Sequence, residues 1–218
     1  MKADEIIKDK LVRAYYKKGN EILGYLGFTD HSIAHAEIVS RQAVNILKTL
    51  GYDEQTQLDA KIAGQLHDIG NAISRSHHAE YGALLARDLL MKTDLSVEDQ
   101  VTIISAIANH DESTGTAYDP VSAALILADK TDVRRSRVRT KDPANFDIHD
   151  RVNYAVTGAN LVIEPANKRI TLNLQIDESI ISMFDYFEIF LNRMLMCRRA
   201  AGVFGMKFRL KANGQKVS

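Results

Sequence analysis

The stretch AGQLHDIGNA at residues 63–72 decides the fold prediction for this chain. An apolar stripe with helical spacing ends at Leu66 and leads directly into the adjacent pair His67 and Asp68. Gly70 then predicts a left-handed residue that ends the helix. An imidazole beside a carboxylate at a helix end can bind a divalent transition metal, provided that further ligands converge on the pair.

The composition predicts a folded protein with a sizeable core, since the chain has 218 residues, 45% hydrophobic and 26% charged. No apolar run approaches the roughly 18 residues of a membrane span, and the first residues do not resemble a signal peptide. We therefore expect a cytoplasmic protein with no membrane partner. Cys197 is the single cysteine, which excludes an internal disulfide and a thiolate metal cluster. Any bound metal should have nitrogen and oxygen ligands.

Charge is unevenly distributed, although the formal net charge is zero. No acidic residue follows Glu188, and the seven basic residues after it leave residues 1–188 at 0 − 7 = −7. The basic segment either forms a solvated surface or binds an acidic partner such as nucleic acid. We expect the solvated surface and keep nucleic acid as the less favoured alternative.

Helical periodicity runs through most of the first 150 residues. Asp53 and Ser96 are expected to cap helices, Ser96 as part of a capping box, and Thr29 with Asp30 offers a cap for a third. The main expected helices cover residues 3–18, 29–50, 53–68, 77–91, 96–110 and 121–128.

From about residue 150 the pattern changes to that of mixed structure. Residues 154–163 and 169–176 predict a β-hairpin, whose second strand alternates and buries one face. A helix over residues 178–200 and a possible last strand over 206–210 follow. The apolar side expected for this helix consists of Ile180, Phe184, Phe187, Leu191 and Leu195.

The predicted fold class is mainly α, with a helical bundle over residues 1–149 and a small α+β appendage over residues 150–218. Aromatic side chains such as Phe187 and Phe190 would favour a homodimer if they were exposed on the last helix. We expect them in the core and keep the homodimer as the alternative.

Further candidate ligands lie near the ends of successive predicted helices. His35 shares a helix face with apolar Val39 and Ala43, so its imidazole should be at least partly buried. Asp129 follows six apolar residues, and a buried carboxylate is costly unless a metal, Lys130 or an arginine compensates its charge. An antiparallel bundle could gather all these ends. The candidates are His35, His67, Asp68, His78, His110 and Asp129.

Three of these stretches resemble the HD-domain superfamily of metal-dependent phosphohydrolases, whose motif is a histidine, a His-Asp doublet and a distant aspartate. They are HAEIVS at residues 35–40, LHDIG at 66–70 and LADK at 127–130. The resemblance implies an HD-domain-like helical bundle. The metal ligands that it implies are His35, His67, Asp68 and Asp129.

Two more stretches, HAEYGA at residues 78–83 and AIANH at 106–110, resemble the binuclear branch, which includes bacterial dinucleoside polyphosphate hydrolases. On that resemblance His78 and His110 would hold a second ion, with Asp68 as the bridge. Several binuclear relatives have a second histidine where this chain has Asn109. The first ligand is either His35, which we favour, or His31, which would otherwise face the substrate or water.

The ligand chemistry and the resemblance together predict hydrolysis of a phosphoester or phosphoanhydride bond by metal-activated water, with a nucleotide as the expected substrate. One or two ions of Mn, Fe, Co, Ni or Zn suit these ligands better than Mg alone. The candidate catalytic residues are Asp68, His31 and the cation Lys130. The guanidinium groups of the arginines that follow Lys130 match the geometry of a phosphate group. Those arginines are Arg134, Arg135 and Arg137. The alternatives are a non-catalytic nucleotide-sensing module with a basic C-terminal binding region, and a di-iron oxygenase.

Overall fold

The computed structural model describes residues 2–139 and 148–217, and the N-terminal part is a bundle of helices. Short 3-10 turns precede the first helix and follow the third and sixth. The helices of the bundle are α1 (Lys10–Tyr25), α2 (Ile33–Thr49), α3 (Glu54–Leu66), α4 (His78–Leu90), α5 (Val97–Ala108) and α6 (Pro120–Lys130).

Side-chain caps account for several helix starts. Asp53 and Ser96 accept hydrogen bonds from the backbone N–H three residues further on, which confirms the predicted caps of α3 and α5. The reciprocal capping box lies at Asp119, the N-cap of α6, and the prediction of one at Ser96 is wrong. The N-cap of α2 is Ser32, two residues later than expected. The Asp30 carboxylate accepts a hydrogen bond from the Ser32 hydroxyl and does not cap the helix itself.

Two glycines permit the close packing that shapes the interior of the bundle. A Cβ on Gly64 would lie 2.7 Å from the Cα of Ser40, so α3 packs directly against α2. A Cβ on Gly70 would lie 2.0 Å from the carbonyl oxygen of His78, so the turn after α3 contacts the start of α4. Gly70 does not have a positive φ, and the predicted left-handed stop is wrong. This glycine is needed for a backbone contact.

The described C-terminal part, residues 148–217, contains two α-helices, a short 3-10 turn and a four-stranded sheet. Neighbouring strands are antiparallel except β2 and β3, which are parallel and connected by α8. The predicted hairpin, helix, last strand and mainly α fold class are confirmed. These elements are α7 (Ile148–Ala155), β1 (Val156–Glu164), β2 (Arg169–Ile176), α8 (Met183–Val203), β3 (Lys207–Ala212) and β4 (Gln215–Lys216).

Helix α8 buries a different face from the predicted one. Tyr186, Phe190 and Cys197 are buried, whereas Phe184 is 78% and Leu191 54% exposed. Apolar residues occur on several sides of this helix, so periodicity did not determine which side meets the protein. Packing of α8 against α6 determines which side of α8 is buried. The hydrophobic core continues from the bundle into the sheet. The division at residue 149 and the homodimer stay predictions.

A membrane-spanning segment was not expected, and none of the described helices is both long and apolar enough to cross a bilayer.

Candidate metal centre

The six residues predicted as metal ligands meet inside the helical bundle, and none of these residues is more than 9% exposed. They come from the start of α2, the turn after α3, the start of α4, the segment after α5 and the last turn of α6. In that order they are His35, His67 with Asp68, His78, His110 and Asp129. The structure therefore brings together residues that are up to 94 positions apart (129 − 35).

Asp68 lies between two pairs of histidines, with one carboxylate oxygen toward each pair. Its Oδ2 is 3.8 Å from Nε2 of His35 and 3.3 Å from Nε2 of His67. Its Oδ1 is 3.7 Å from Nε2 of His78 and 4.0 Å from Nε2 of His110. A carboxylate placed in this way can contribute one oxygen to each of two metal sites.

Each of the two groups has a further carboxylate. Asp129 Oδ1 lies 3.2 Å from Nε2 of His35 and 3.8 Å from Nε2 of His67, which completes a buried group of three ligands. In the other group, Asp111 Oδ2 is 3.7 Å from Nε2 of His78. Asp111 is not among the six ligands predicted from the sequence, although it follows His110 directly.

All four histidines are held through Nδ1 by an oxygen of the protein. An Nδ1–H that donates to such an acceptor leaves Nε2 with a free lone pair, which is how metal-binding histidines are usually oriented. The Nε2 atoms are the ones that surround Asp68 and Asp129. The Nδ1 partners are the Asp132 carboxylate for His35 (2.7 Å) and the carbonyls of Gly64 for His67 (2.9 Å), Arg75 for His78 (3.0 Å) and Ile107 for His110 (2.6 Å).

Several buried polar atoms at the centre have no hydrogen-bond partner in the described part of the chain. They are Nε2 of His35, Nε2 of His67 and Oδ2 of Asp68. Leaving such atoms unpaired away from water costs free energy. A divalent cation would coordinate all three, so the residues present fit a metal ion.

The protonation states also suit metal binding. Burial lowers the pKa of His110 well below its usual value, and the neighbouring His78 lowers it further. Burial opposes ionisation of Asp68, but His67, His31 and His78 together outweigh burial, and the pKa of this carboxyl is well below its usual range. Burial also opposes ionisation of Asp129, but Lys130 together with His35 and His67 outweighs burial and lowers the pKa of this carboxyl well below its usual range. Ionised carboxylates and a neutral imidazole are the forms that bind a metal.

A cleft of about 260 Å³ opens onto the centre, and its wall contains acidic and basic side chains in equal number. The acidic ones are Asp68, Asp111, Glu112 and Asp129, and the basic ones are Arg75, Lys130, Arg137 and Arg193. One or two divalent cations would therefore leave a positive excess in the cleft. Such an excess attracts anionic ligands.

With this geometry established, comparison with known proteins gives the family. Residues 28–135 match the family model of the HD domain. The chain belongs to the HD-domain superfamily. An uncharacterized protein of Methanocaldococcus jannaschii is 31% identical over an alignment of 170 residues, which covers 67% of this chain and 65% of that protein. The match thus spans slightly less than two thirds of the relative's length.

The HD domain contains all six predicted ligands, and it also contains His31, which lies beside these ligands. The ring centroid of His31 is 5.8 Å from that of His35, and its Nδ1 is 2.7 Å from the carbonyl oxygen of Thr29. His31 lines the cleft, whereas His35 belongs to the group with His67 and Asp129. Of the two candidates for first ligand, the structure places His35 in the centre.

The basic residues at the end of the HD domain separate into two groups. Lys130 and Arg137 line the cleft, and Lys130 Nζ lies 2.7 Å from Asp129 Oδ2. Arg134 instead pairs with Asp132, and the Arg135 guanidinium lies 4.5 Å from the ring centroid of Tyr154. The structure therefore does not bring Arg134 and Arg135 into the predicted phosphate-binding group.

Other residues of the site were missed at the sequence level. Asp132 supports His35, and its only signal was its position three residues after Asp129. Arg75 and Arg193 line the cleft, each with its guanidinium over a phenylalanine ring. Arg193 was counted with the basic C-terminal segment, although its position three residues after Phe190 places it toward the buried side of α8.

Asn109, at the position where the resemblance to the binuclear branch implies a second histidine, is hydrogen-bonded to residues outside the predicted ligand set. Its side-chain amide donates to the Ser105 carbonyl and to the Tyr118 hydroxyl. These contacts connect the end of α5 to the segment before α6. The hydrogen bonds of the Asn109 side chain thus have a structural role.

Proposed function

We propose that the protein is a metal-dependent phosphohydrolase that cleaves a phosphoester or phosphoanhydride bond of a nucleotide. The observation that carries this proposal is the position of Asp68 between two pairs of buried histidines, each held through Nδ1. Superfamily membership supports metal-dependent hydrolysis as the reaction class. The substrate is inferred from the cleft.

The donor set determines which ions the centre would accept. His35, His67, Asp68 and Asp129 would hold one divalent ion, and Asp68 with His78 and His110 would hold a second. Nitrogen and carboxylate ligands without thiolate favour Mn, Fe, Co, Ni or Zn over Mg alone. When bound, such ions supply a water of lowered pKa and a Lewis acid for phosphoryl oxygens.

The surrounding side chains prepare the cleft for a phosphorylated substrate. Lys130 is held against Asp129 and can place its positive charge beside a phosphoryl oxygen. Arg137 is fixed by donating to the backbone carbonyls of Asp30 and Asp132, and it also faces the cleft. His31, with Nδ1 on a carbonyl, keeps an Nε2 lone pair that can accept a proton from water or hydrogen-bond a substrate hydroxyl.

Aromatic side chains in the same wall favour a nucleotide over a simple phosphate ester. Phe28 is partly exposed and lines the cleft, with Arg75 stacked on its ring at 5.2 Å. An aromatic ring beside a phosphate-binding site can stack on a nucleobase. We therefore expect activity on nucleotides to exceed activity on a small alkyl phosphate.

Metal analysis and a hydrolysis screen test the proposal together. The protein, loaded in turn with Mn, Fe, Co, Ni, Zn or Mg, should release phosphate or nucleoside monophosphate from at least one nucleotide. His67→Ala should abolish this activity, whereas His77→Ala, whose side chain is 64% exposed, should keep it. Absence of both bound metal and activity, or full activity in His67→Ala, would contradict the proposal.

The same preparations separate the two alternative functions. A di-iron oxygenase would consume oxygen with an organic substrate and would not hydrolyse nucleotides. A non-catalytic sensing module would bind nucleotide without turnover, and its basic C-terminal segment would retain nucleic acid in a salt-dependent way.

A further inference from the structure

The cleft is completed by a helix that lies outside the matched HD domain. Helix α8 contributes Phe190 and Arg193 to the wall that also contains Asp129 and Lys130. Residues 28–135 match the HD domain, so these two side chains come from the unmatched C-terminal part. The C-terminal part therefore does more than extend the hydrophobic core.

Arg193 is held in the cleft wall by two contacts. Its Nε donates to Oε2 of Glu112 at 3.1 Å, a residue that also lines the cleft. Its guanidinium carbon lies 4.5 Å from the ring centroid of Phe190, which is buried and stacked in turn on Tyr186. Only 22% of the Arg193 side chain is exposed, so little conformational freedom remains to be lost when a ligand binds.

Arg193 stays fully charged in this position. Burial opposes its charged form, but Glu112 and Asp129 outweigh burial and raise the pKa of the guanidinium. Arg193 and Asp129 line the same cleft, so the guanidinium faces the candidate centre. A planar, permanently charged guanidinium matches the oxygens of a phosphate group better than an ammonium does.

Arg75 has a similar environment within the HD domain. Its guanidinium lies 5.2 Å from the ring centroid of Phe28, and Nη1 donates to Asn71 Oδ1 at 3.3 Å. Both arginines line the cleft and both are backed by an aromatic ring. The repeated arrangement indicates that guanidinium groups from both parts of the chain face the same ligand.

We propose that Arg193 binds phosphate oxygens of the substrate, so that the C-terminal helix supplies part of the substrate specificity of the HD domain. This inference rests on the proposed function, since it assigns the anionic group that Arg193 contacts. In this role Glu112 orients the Arg193 guanidinium by accepting its hydrogen bond, and the guanidinium packs on the ring of Phe190. The alternative, an ion pair that only connects α8 to the segment after α5, predicts a loss of stability without a loss of phosphate affinity.

The test measures binding of inorganic phosphate to the manganese-loaded protein by calorimetry. Arg193→Gln should raise the Kd for phosphate about tenfold or more, since a charge-assisted hydrogen bond is lost. Arg199→Gln, on an exposed position of the same helix, is the matched control and should leave Kd unchanged. With a hydrolysed nucleotide, Arg193→Gln should raise KM more than it lowers kcat.

Unchanged phosphate affinity in Arg193→Gln, or an equal loss in Arg199→Gln, overturns the inference. If Arg193→Gln does not fold, Arg193→Lys decides, because weaker phosphate binding at an unchanged Tm supports the role and unchanged binding contradicts it. Phosphate binding that depends on Arg193, without any nucleotide hydrolysis, would refute only the proposed function. Hydrolysis with wild-type KM and phosphate affinity in Arg193→Gln would refute only the role of Arg193.

Discussion

Gly70 and His78 are in backbone contact, because a Cβ on Gly70 would lie 2.0 Å from the carbonyl oxygen of His78. The same Cβ would lie 2.4 Å from the amide nitrogen of Gly82, also on α4. This contact fixes the start of α4 beside the turn that carries Asp68. The position of His78 relative to Asp68 therefore depends on the absence of a side chain at residue 70.

Gly70→Ala should destabilise the protein and disturb the centre. The added methyl group meets backbone atoms that cannot move independently, so we expect the melting temperature to fall by about 5–10 °C. Metal content should fall in the same variant. Gly202→Ala is the control, since nothing lies within 4 Å of its added Cβ, and its Tm should not decrease. An unchanged Tm in Gly70→Ala would show that α4 can shift freely.

Asp68 and His78 should differ in how many ions their loss removes. Because each oxygen of Asp68 faces a different histidine pair, Asp68→Ala should abolish binding of both ions. His78→Ala should lose one ion and keep the ion held by His35, His67 and Asp129. Metal analysis of each purified variant gives the stoichiometry, with His77→Ala as the control. Two ions per chain in Asp68→Ala would exclude its bridging role.

Asp132 should affect metal affinity without being a ligand. It accepts the hydrogen bond from Nδ1 of His35 at 2.7 Å, and such supporting carboxylates orient the imidazole and increase its basicity. Asp132→Asn should weaken metal binding about tenfold, measured by competition with a chelator. Asp88→Asn, on the exposed surface, should bind metal as the wild type does. Equal affinities in the two variants would leave Asp132 with a purely structural role.

Asp59 gives a pH dependence that is independent of the metal centre. Burial raises the pKa of this carboxyl to about 7, partly opposed by a hydrogen bond from Gln55. The folded state thus keeps a proton that the unfolded chain releases near its ordinary pKa of 3.8, so this contribution to stability decreases between about pH 4 and pH 7. Asp59→Asn should therefore raise Tm at pH 8 and raise it clearly less at pH 5.

The measurement for Asp59→Asn is thermal unfolding at both pH values, compared with the wild type at each. The comparison cancels the pH dependence of the other titrating groups, which the two proteins share. A variant that is less stable than the wild type at pH 8 would show that the Asp59 carboxylate is adequately solvated or paired when ionised.

Local sequence signals predicted the elements and most of the centre. His35, His67 and Asp129 could be found because each interrupts an apolar helical pattern with a group that is costly to bury alone. The N-cap of α3 could be found because Asp53 acts on its own helix. Such signals depend on neighbours a few residues away, so they are readable in the sequence.

Contacts between distant elements could not be predicted in this way. The burial of Phe190 and the exposure of Phe184 depend on how α8 meets α6, and no residue within α8 specifies that side. Arg134 and Arg135 follow Asp129 closely in sequence, but the chain turns after Lys130 and carries them toward Asp132 and Tyr154. The contact of Arg193 with Glu112 spans 81 positions and has no local signal.

The contact between Arg193 and Glu112 also orders events during synthesis of the chain. All six candidate ligands have left the ribosome once residue 129 and its neighbours emerge, whereas the cleft wall needs residue 193. A nascent chain that ends after β2 already contains every candidate ligand but lacks the α8 wall. The side chains of the candidate centre are therefore translated before the helix that we propose contacts the substrate.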